Sequence, residues 1–238
     1  MSEFIEIKNF KMVFNGKTVI KNLSFNVKKG EIFGLLGSNG SGKTTTIRTL
    51  LGLYVPTAGS LLINGKPFNP AELNVGYLPE ERGLYKKETV IDTMVYFAEL
   101  KNVKNPVEWS KKYLARVGLE DKVNEKIEKL STGQQQKIQL GICIMGDPEL
   151  LILDEPTKGF DPVNRKLLMS IIDELHQNGT TIILITHYMD EVERLCDDII
   201  LLKDGVVFAE GSVAAVKKKF KMNSLDDIFI KVYGEKDE

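Results

Sequence analysis

One octapeptide constrains this chain more than any other segment: Gly37-Ser38-Asn39-Gly40-Ser41-Gly42-Lys43-Thr44. It fits the pattern G-x-x-x-x-G-K-[ST]. Its surroundings are those the pattern requires. Glu31-Ile32-Phe33-Gly34-Leu35-Leu36 reads as a buried strand before it, and the chain turns helical from Lys43 to Leu53. Glycines let a backbone wrap closely around an anion. Successive N–H groups and the helix N-terminus then face phosphate oxygens. Lys43 is expected to neutralise the β and γ phosphates of ATP, and the Thr44 hydroxyl to ligate Mg²⁺. Gly37, Ser38, Asn39, Gly40, Ser41, Gly42 and Thr45 complete the expected phosphate cradle.

The rest of the chain reads as an α/β protein around that loop, a P-loop NTPase with a RecA-like core. Phe4, Ile5 and Ile7, then Leu23, Phe25 and Val27 alternating with polar residues, predict an antiparallel β subdomain. From Thr89 to about Gln139 helix formers dominate. Val90, Met94, Phe97 and Leu100 make a helical stripe, Pro106 starts a helix and Gly118 ends one. This predicts a helical subdomain, residues 84–145, inserted into a core of residues 1–83 and 146–211. Leu150–Asp154 and Thr181–Thr186 read as mid-sheet strands. Val163, Leu167, Leu168, Ile171, Ile172 and Leu175 put a helix between them, a βαβ unit. Asp204-Gly205 signals a hairpin. Ser212 and Ser224 are candidate N-caps of two closing helices in a tail, residues 212–238. In the tail Leu225, Ile228, Phe229 and Val232 form a one-sided apolar stripe.

Composition excludes several alternatives. With 238 residues, 42% apolar and 27% charged, the chain suits a globular domain with an ample core. Its net charge of -1 supplies no basic field for nucleic acid, and none is expected as a partner. Lys217-Lys218-Lys219 reads as a solvated helix face. Cys143 and Cys196 lack a CxxC spacing and fit a reducing compartment. MSEFIEIKNF has no leader pattern, and no apolar run approaches the about 20 residues a membrane helix needs.

A second chemical signal is Leu150-Leu151-Ile152-Leu153-Asp154-Glu155. Asp154 ends a buried strand, where ligands gather in parallel sheets, and suits Mg²⁺. Glu155 beside it can take a proton from attacking water. Leu130-Ser131-Thr132-Gly133-Gln134, upstream of that strand, resembles the LSGGQ signature of ATP-binding cassette (ABC) ATPases, with Thr132 replacing the first glycine.

The resemblance implies further roles. His187 looks like the switch histidine that contacts the γ-phosphate, and joins Glu155 and Lys43 as a catalytic candidate. Lys158-Gly159-Phe160-Asp161 resembles the D-loop, where serine and leucine are more usual at the first and third places. Phe14 stands where the family has an aromatic that stacks on adenine. Glu80 takes the place of the usual glutamine, which leaves it able to reach Mg²⁺ but not to donate a hydrogen bond when ionised. Tyr77-Leu78-Pro79-Glu80-Glu81-Arg82-Gly83-Leu84-Tyr85 looks like the export-type branch, and Leu225-Asp226-Asp227-Ile228-Phe229 like its tail.

In this family two cassettes face each other, so Ser131, Gly133, Gln134 and Asp161 would serve the nucleotide of a second cassette. A separate membrane-spanning permease is implied, with this chain peripheral on the cytoplasmic face of the membrane. The alternative is a soluble ABC ATPase acting on ribosomes or nucleic acid. Such chains carry two cassettes or a long coiled coil; here there is one P-loop and no sustained heptad. A regulator that binds ATP without turnover is a third reading, opposed by Glu155.

Overall fold

The computed structural model describes residues 3–69, 71–81 and 83–234. Arg82 of the export-type stretch, and the outermost residues of the expected core and tail, lie outside them.

The antiparallel start is as the alternation predicts. Strands β1 (Glu3–Phe14) and β2 (Lys17–Lys28) form a hairpin, and β1 pairs on its other edge with a later strand, residues 58–63. Phe4 and Ile5 are both buried because a register shift between Glu3 and Ile5 breaks the strict alternation. Strand β3 (Ile32–Gly37) delivers the chain to the glycine-rich loop, and helix α1 (Lys43–Leu50) leaves it. This helix is shorter than the expected run to Leu53: Gly52 has φ 71° and the chain turns away. Strands β4 (Ala58–Ile63) and β5 (Val75–Leu78) follow.

The inserted helices are α2 (Val90–Leu100), α3 (Pro106–Arg116) and α4 (Thr132–Ile144). In α2 the buried residues are Val90, Thr93, Met94 and Ala98, while Leu100 at the last turn is exposed. The core returns with β6 (Leu150–Asp154), α5 (Pro162–Gln177), β7 (Thr181–Ile185), α6 (Met189–Leu195), β8 (Asp198–Lys203) and β9 (Val206–Ser212). Val163, in the first turn of α5, is 78% exposed, and the buried face of the helix is Leu168, Met169, Ile171 and Ile172. Helices α7 (Val213–Phe220) and α8 (Leu225–Tyr233) close the chain, each capped by its serine, Ser212 and Ser224.

The strands run in the order β4-β1-β2-β9-β8-β3-β7-β6-β5. From β8 to β5 neighbours are parallel. A single parallel pair, Asn22 with Val206, joins the antiparallel part to the core. The central strands are buried on both faces, and their two periods serve different layers. Leu150, Ile152, Ile183 and Ile185 pack toward α1 and the β subdomain. Leu151, Leu153, Ile182 and Leu184 pack toward α4 and α5. Leu36, Ile199 and Leu201 meet α6, α7 and α8. Because the sheet core is parallel, the C-terminal ends of β3, β5, β6 and β7 lie along one edge, and everything attached to them converges there.

Candidate nucleotide site

The loop after β3 is shaped by positions where only glycine fits. Gly42 has φ 109°, and a Cβ there would fall 2.1 Å from Ile20 Cδ1. At Gly37 a Cβ would fall 2.7 Å from the Leu202 carbonyl on the neighbouring strand. Gly42 is also the N-cap of α1 and offers no side chain to the first-turn N–H groups. Those donors are left facing the loop, which is an anion site by construction. Lys43 folds back over the loop, its Nζ donating to the carbonyls of Gly37 (2.7 Å) and Ser38 (3.0 Å). Ser41 Oγ is buried with no hydrogen-bond partner.

A cavity of about 640 Å³ opens over this loop, within the usual size range for small-ligand sites. Gly37, Ser38, Asn39, Gly40, Gly42, Lys43, Thr44 and Thr45 line it from one side. Asp154 and Glu155 come to it from the end of β6, His187 from the end of β7, and Glu80 from just beyond β5. His187 Nδ1 lies 2.7 Å from Glu155 Oε2. Glu155 itself has φ 53°, an uncommon conformation for a side chain other than glycine, asparagine or aspartate. Its N–H donates to the Ile185 carbonyl (2.8 Å), which holds the turn against β7.

The charges are crowded. Asp154 is 7% exposed. Burial, then the carboxylates of Glu155 and Glu80, push its pKa up to about 6, against the opposing pull of Lys43 and Arg48. Burial lowers the Lys43 ammonium, which Asp154, Glu155 and Glu80 partly restore. Such a cluster favours a further cation. Among the described residues no group of three or more His, Cys, Asp or Glu side chains stands ready as a metal cage. The donors present fit Mg²⁺, which is bound by few protein oxygens and completed by water and phosphate.

Six expected contacts do not line this cavity: the buried Ser41 of the loop itself and five residues from elsewhere. Ser131 and Gln134 are occupied with each other: Ser131 Oγ accepts from Gln134 N (3.2 Å), and Gln134 Oε1 from Ser131 N (2.9 Å), a capping box. Gly133 lies against the Phe160 ring. Asp161 caps α5, accepting from Val163 N and Asn164 N. Phe14 packs edge-on against Tyr54 at 5.2 Å, while Val19 of the same hairpin lines the cavity.

The ABC transporter family pattern matches residues 20–158. This chain belongs to the ABC transporter family, as an ATP-binding member. An ABC transporter ATP-binding protein of Methanocaldococcus jannaschii is 42% identical over 222 residues, covering 92% of this chain and 81% of that one. The linearmycin resistance ATP-binding protein of Bacillus subtilis is 36% identical over 214 residues, with 87% and 69% covered. A Nod factor export ATP-binding protein of a Rhizobium species is 38% identical over 218 residues, with 89% and 72% covered. Among solved structures, an ATP-binding subunit of an ABC transporter superposes with TM-score 0.85 at 28% identity, covering 96% of this chain and 98% of that one. The subunit cbiO1 of Clostridium perfringens, part of the complex cbiONQ, gives 0.77 at 25%, with 98% and 96% covered.

The ABC ATPase also has site residues that spacing does not reveal. Glu191 is 1% exposed and joins three elements. It accepts from Thr157 Oγ1, just past Glu155, and from Thr186 Oγ1 (3.2 Å), just before His187. Arg165 Nε donates to it at 2.7 Å, and the same guanidinium lies 4.6 Å over the Tyr188 ring. Gln136 Nε2 donates to the Pro156 carbonyl (2.7 Å), tying the signature helix to the turn after Glu155. Lys158 Nζ pairs with Glu80 Oε1 at 2.6 Å across the cavity mouth. Both ends of this pair are about half exposed, so it orients the side chains more than it stabilises the fold. Phe229 and Tyr233 of α8 line the cavity as well.

Proposed function

We propose that this ABC ATPase is the ATP-hydrolysing subunit of a membrane exporter, peripheral on the cytoplasmic face and docked on a separate permease chain. The observation that carries the catalytic part is convergence: Lys43, Thr44, Asp154, Glu155, His187 and Glu80 open onto one cavity beside an uncapped helix N-terminus. The export direction rests on the Tyr77–Tyr85 stretch and on relatives named for Nod factor export and linearmycin resistance. A separate permease is consistent with cbiO1 being one part of a complex, and with no described helix being long and apolar enough to cross a membrane.

In this reading the loop N–H groups and Lys43 hold the β and γ phosphates. Thr44, Asp154 and Glu80 hold Mg²⁺, which supplies charge neutralisation at the phosphates. Glu155 orients the attacking water and accepts its proton, and His187 steadies Glu155 and faces the γ-phosphate. Phe14, exposed at the end of β1, offers its ring to an adenine that extends past Val19. Ser131, Gly133, Gln134 and Asp161 meet the nucleotide of a second cassette, which accounts for their standing outside this chain's own cavity.

Glu155→Gln keeps shape and removes the base. ATP affinity should hold while turnover falls by about 10²–10⁴-fold. Turnover within a few-fold of wild type would move the base elsewhere. The transport reading is tested by isolating the tagged chain from membranes: a polytopic permease should co-purify, and a chain found only in the soluble fraction counts against it.

A further inference from the structure

We propose that Phe229 and Tyr233 are nucleotide-binding residues, so that the tail helix α8 is a wall of the ATP site and its seating is linked to occupancy. This rests on the cavity over Gly37–Thr45 being the nucleotide site.

Helix α8 is held at both ends. Its N-terminus is capped by Ser224 Oγ, and Leu225 N donates to the Glu193 carboxylate at 2.7 Å. At its C-terminus Lys203 Nζ donates to the Val232 carbonyl at 2.9 Å, and Tyr233 Oη to the Leu202 carbonyl at 2.9 Å. Leu202 is the register partner of Gly37, the first residue of the phosphate loop. Tyr233 is thereby tied to the strand that runs directly beside that loop.

The fully buried part of the apolar face of α8 does not include the ring pair, which packs at its margin. Leu225, Ile228 and Val232 are buried among Met189, Val192, Leu201 and Val216. Phe229 and Tyr233, four residues apart and so on one stripe, lie on the flank of that face with ring centroids 4.4 Å apart. Both rings are half-buried, and both line the cavity shared by Ser38, Asn39, Lys43 and His187. A helix that served only to cover α6 and β8 would not need two paired rings, tilted 45° to each other, lining the cavity of the phosphate loop. With ATP in the cavity the rings lose exposed surface against it, and the nucleotide gains an apolar wall on the β8 side. By linkage, whatever ATP gains from the seated tail, the tail gains from ATP.

The test uses the full chain and a fluorescent ATP analogue with Mg²⁺. Phe229→Ala and Tyr233→Ala should each weaken binding about fivefold, the size of one aromatic contact. Ile230→Ala, 66% exposed and outside the cavity lining, should bind as wild type. In parallel, hydrogen exchange of α8 amides in the wild type should slow when the non-hydrolysed analogue is added; this needs no variant and stands if a substitution prevents folding. Unchanged α8 exchange, or wild-type affinity in both ring variants, overturns the proposal. Lys43→Ala separates the two levels: if wild type binds and this variant does not, the site stands on its own and only the tail's part is at issue. If wild type itself binds no nucleotide, the site reading fails and this inference with it.

Discussion

Glu191 is buried, and two of its three partners, Thr157 and Arg165, lie far from it along the chain. Its two oxygens are shared among Thr157, Thr186 and Arg165, which come from the turn after β6, the end of β7 and helix α5. A buried carboxylate persists only with such partners. Here the partners flank Glu155 and His187, so the same bonds that satisfy Glu191 set how those two side chains approach each other. Glu191→Gln keeps the volume and drops the charge. It should fold, lose about 1–3 kcal/mol of stability, and lower turnover while leaving ATP affinity intact, because none of its bonds reaches the phosphate loop. The comparison of kcat with KM is the readout; a variant with unaltered kcat shows that the clamp is purely structural.

At the scale of elements, the helical subdomain depends on one close crossing. Tyr113 of α3 lies flat against α4, where its Oη donates to the Lys137 carbonyl at 2.7 Å. Its ring edge occupies the space above Gly141: a Cβ there would fall 2.4 Å from Tyr113 Cε1. The other face of the ring stacks on Trp109 at 5.5 Å, so the ring cannot simply retreat. Gly141→Ala gains helix propensity yet should destabilise the protein by about 1–3 kcal/mol, the usual size of overpacking. Urea denaturation should show an earlier midpoint, with ATP binding by the folded protein unaffected. An unshifted or later midpoint contradicts this account of the crossing. Burial similarly governs Cys143, whose thiol is pushed up to about 12. It should resist alkylation in the native state and react on unfolding.

For the whole molecule, the decisive fact is which face carries what. Ser131, Gly133 and Gln134 do not line the phosphate cavity of their own chain, and among the described residues the exposed Ser131 bonds to its own helix. Under the proposed pairing of two cassettes, each site would be completed by the other chain. Mg²⁺-ATP should drive the Glu155→Gln protein to a dimer in sedimentation, and Ser131→Arg should prevent it without weakening ATP binding to the monomer. If Glu155→Gln remains monomeric at high concentration, self-pairing is wrong and the partner is a different chain.

What the sequence determined by itself is what neighbouring residues settle among themselves. The octapeptide specified a strand, a loop and a helix because its glycines are needed within a few residues of one another. Ser131 with Gln134, Ser212 and Ser224 marked helix starts because a cap bonds within one turn. The unbroken apolar run Leu150–Leu153 marked a strand buried on both sides. Asp154 and Glu155 were legible because they end and follow such a strand, and a parallel sheet brings strand ends together; His187 was legible through the family resemblance alone. Only the tertiary structure decided the rest. It paired Glu80 with Lys158, 78 residues apart, and turned the Phe14 ring onto Tyr54. It brought the distant Thr157 and Arg165 onto Glu191 and set the rings of α8 beside the phosphate loop. The apolar stripe of that helix showed that one face would be buried, but not what its flank would meet. Contacts between remote segments follow from how whole layers pack, and no spacing along the chain records that.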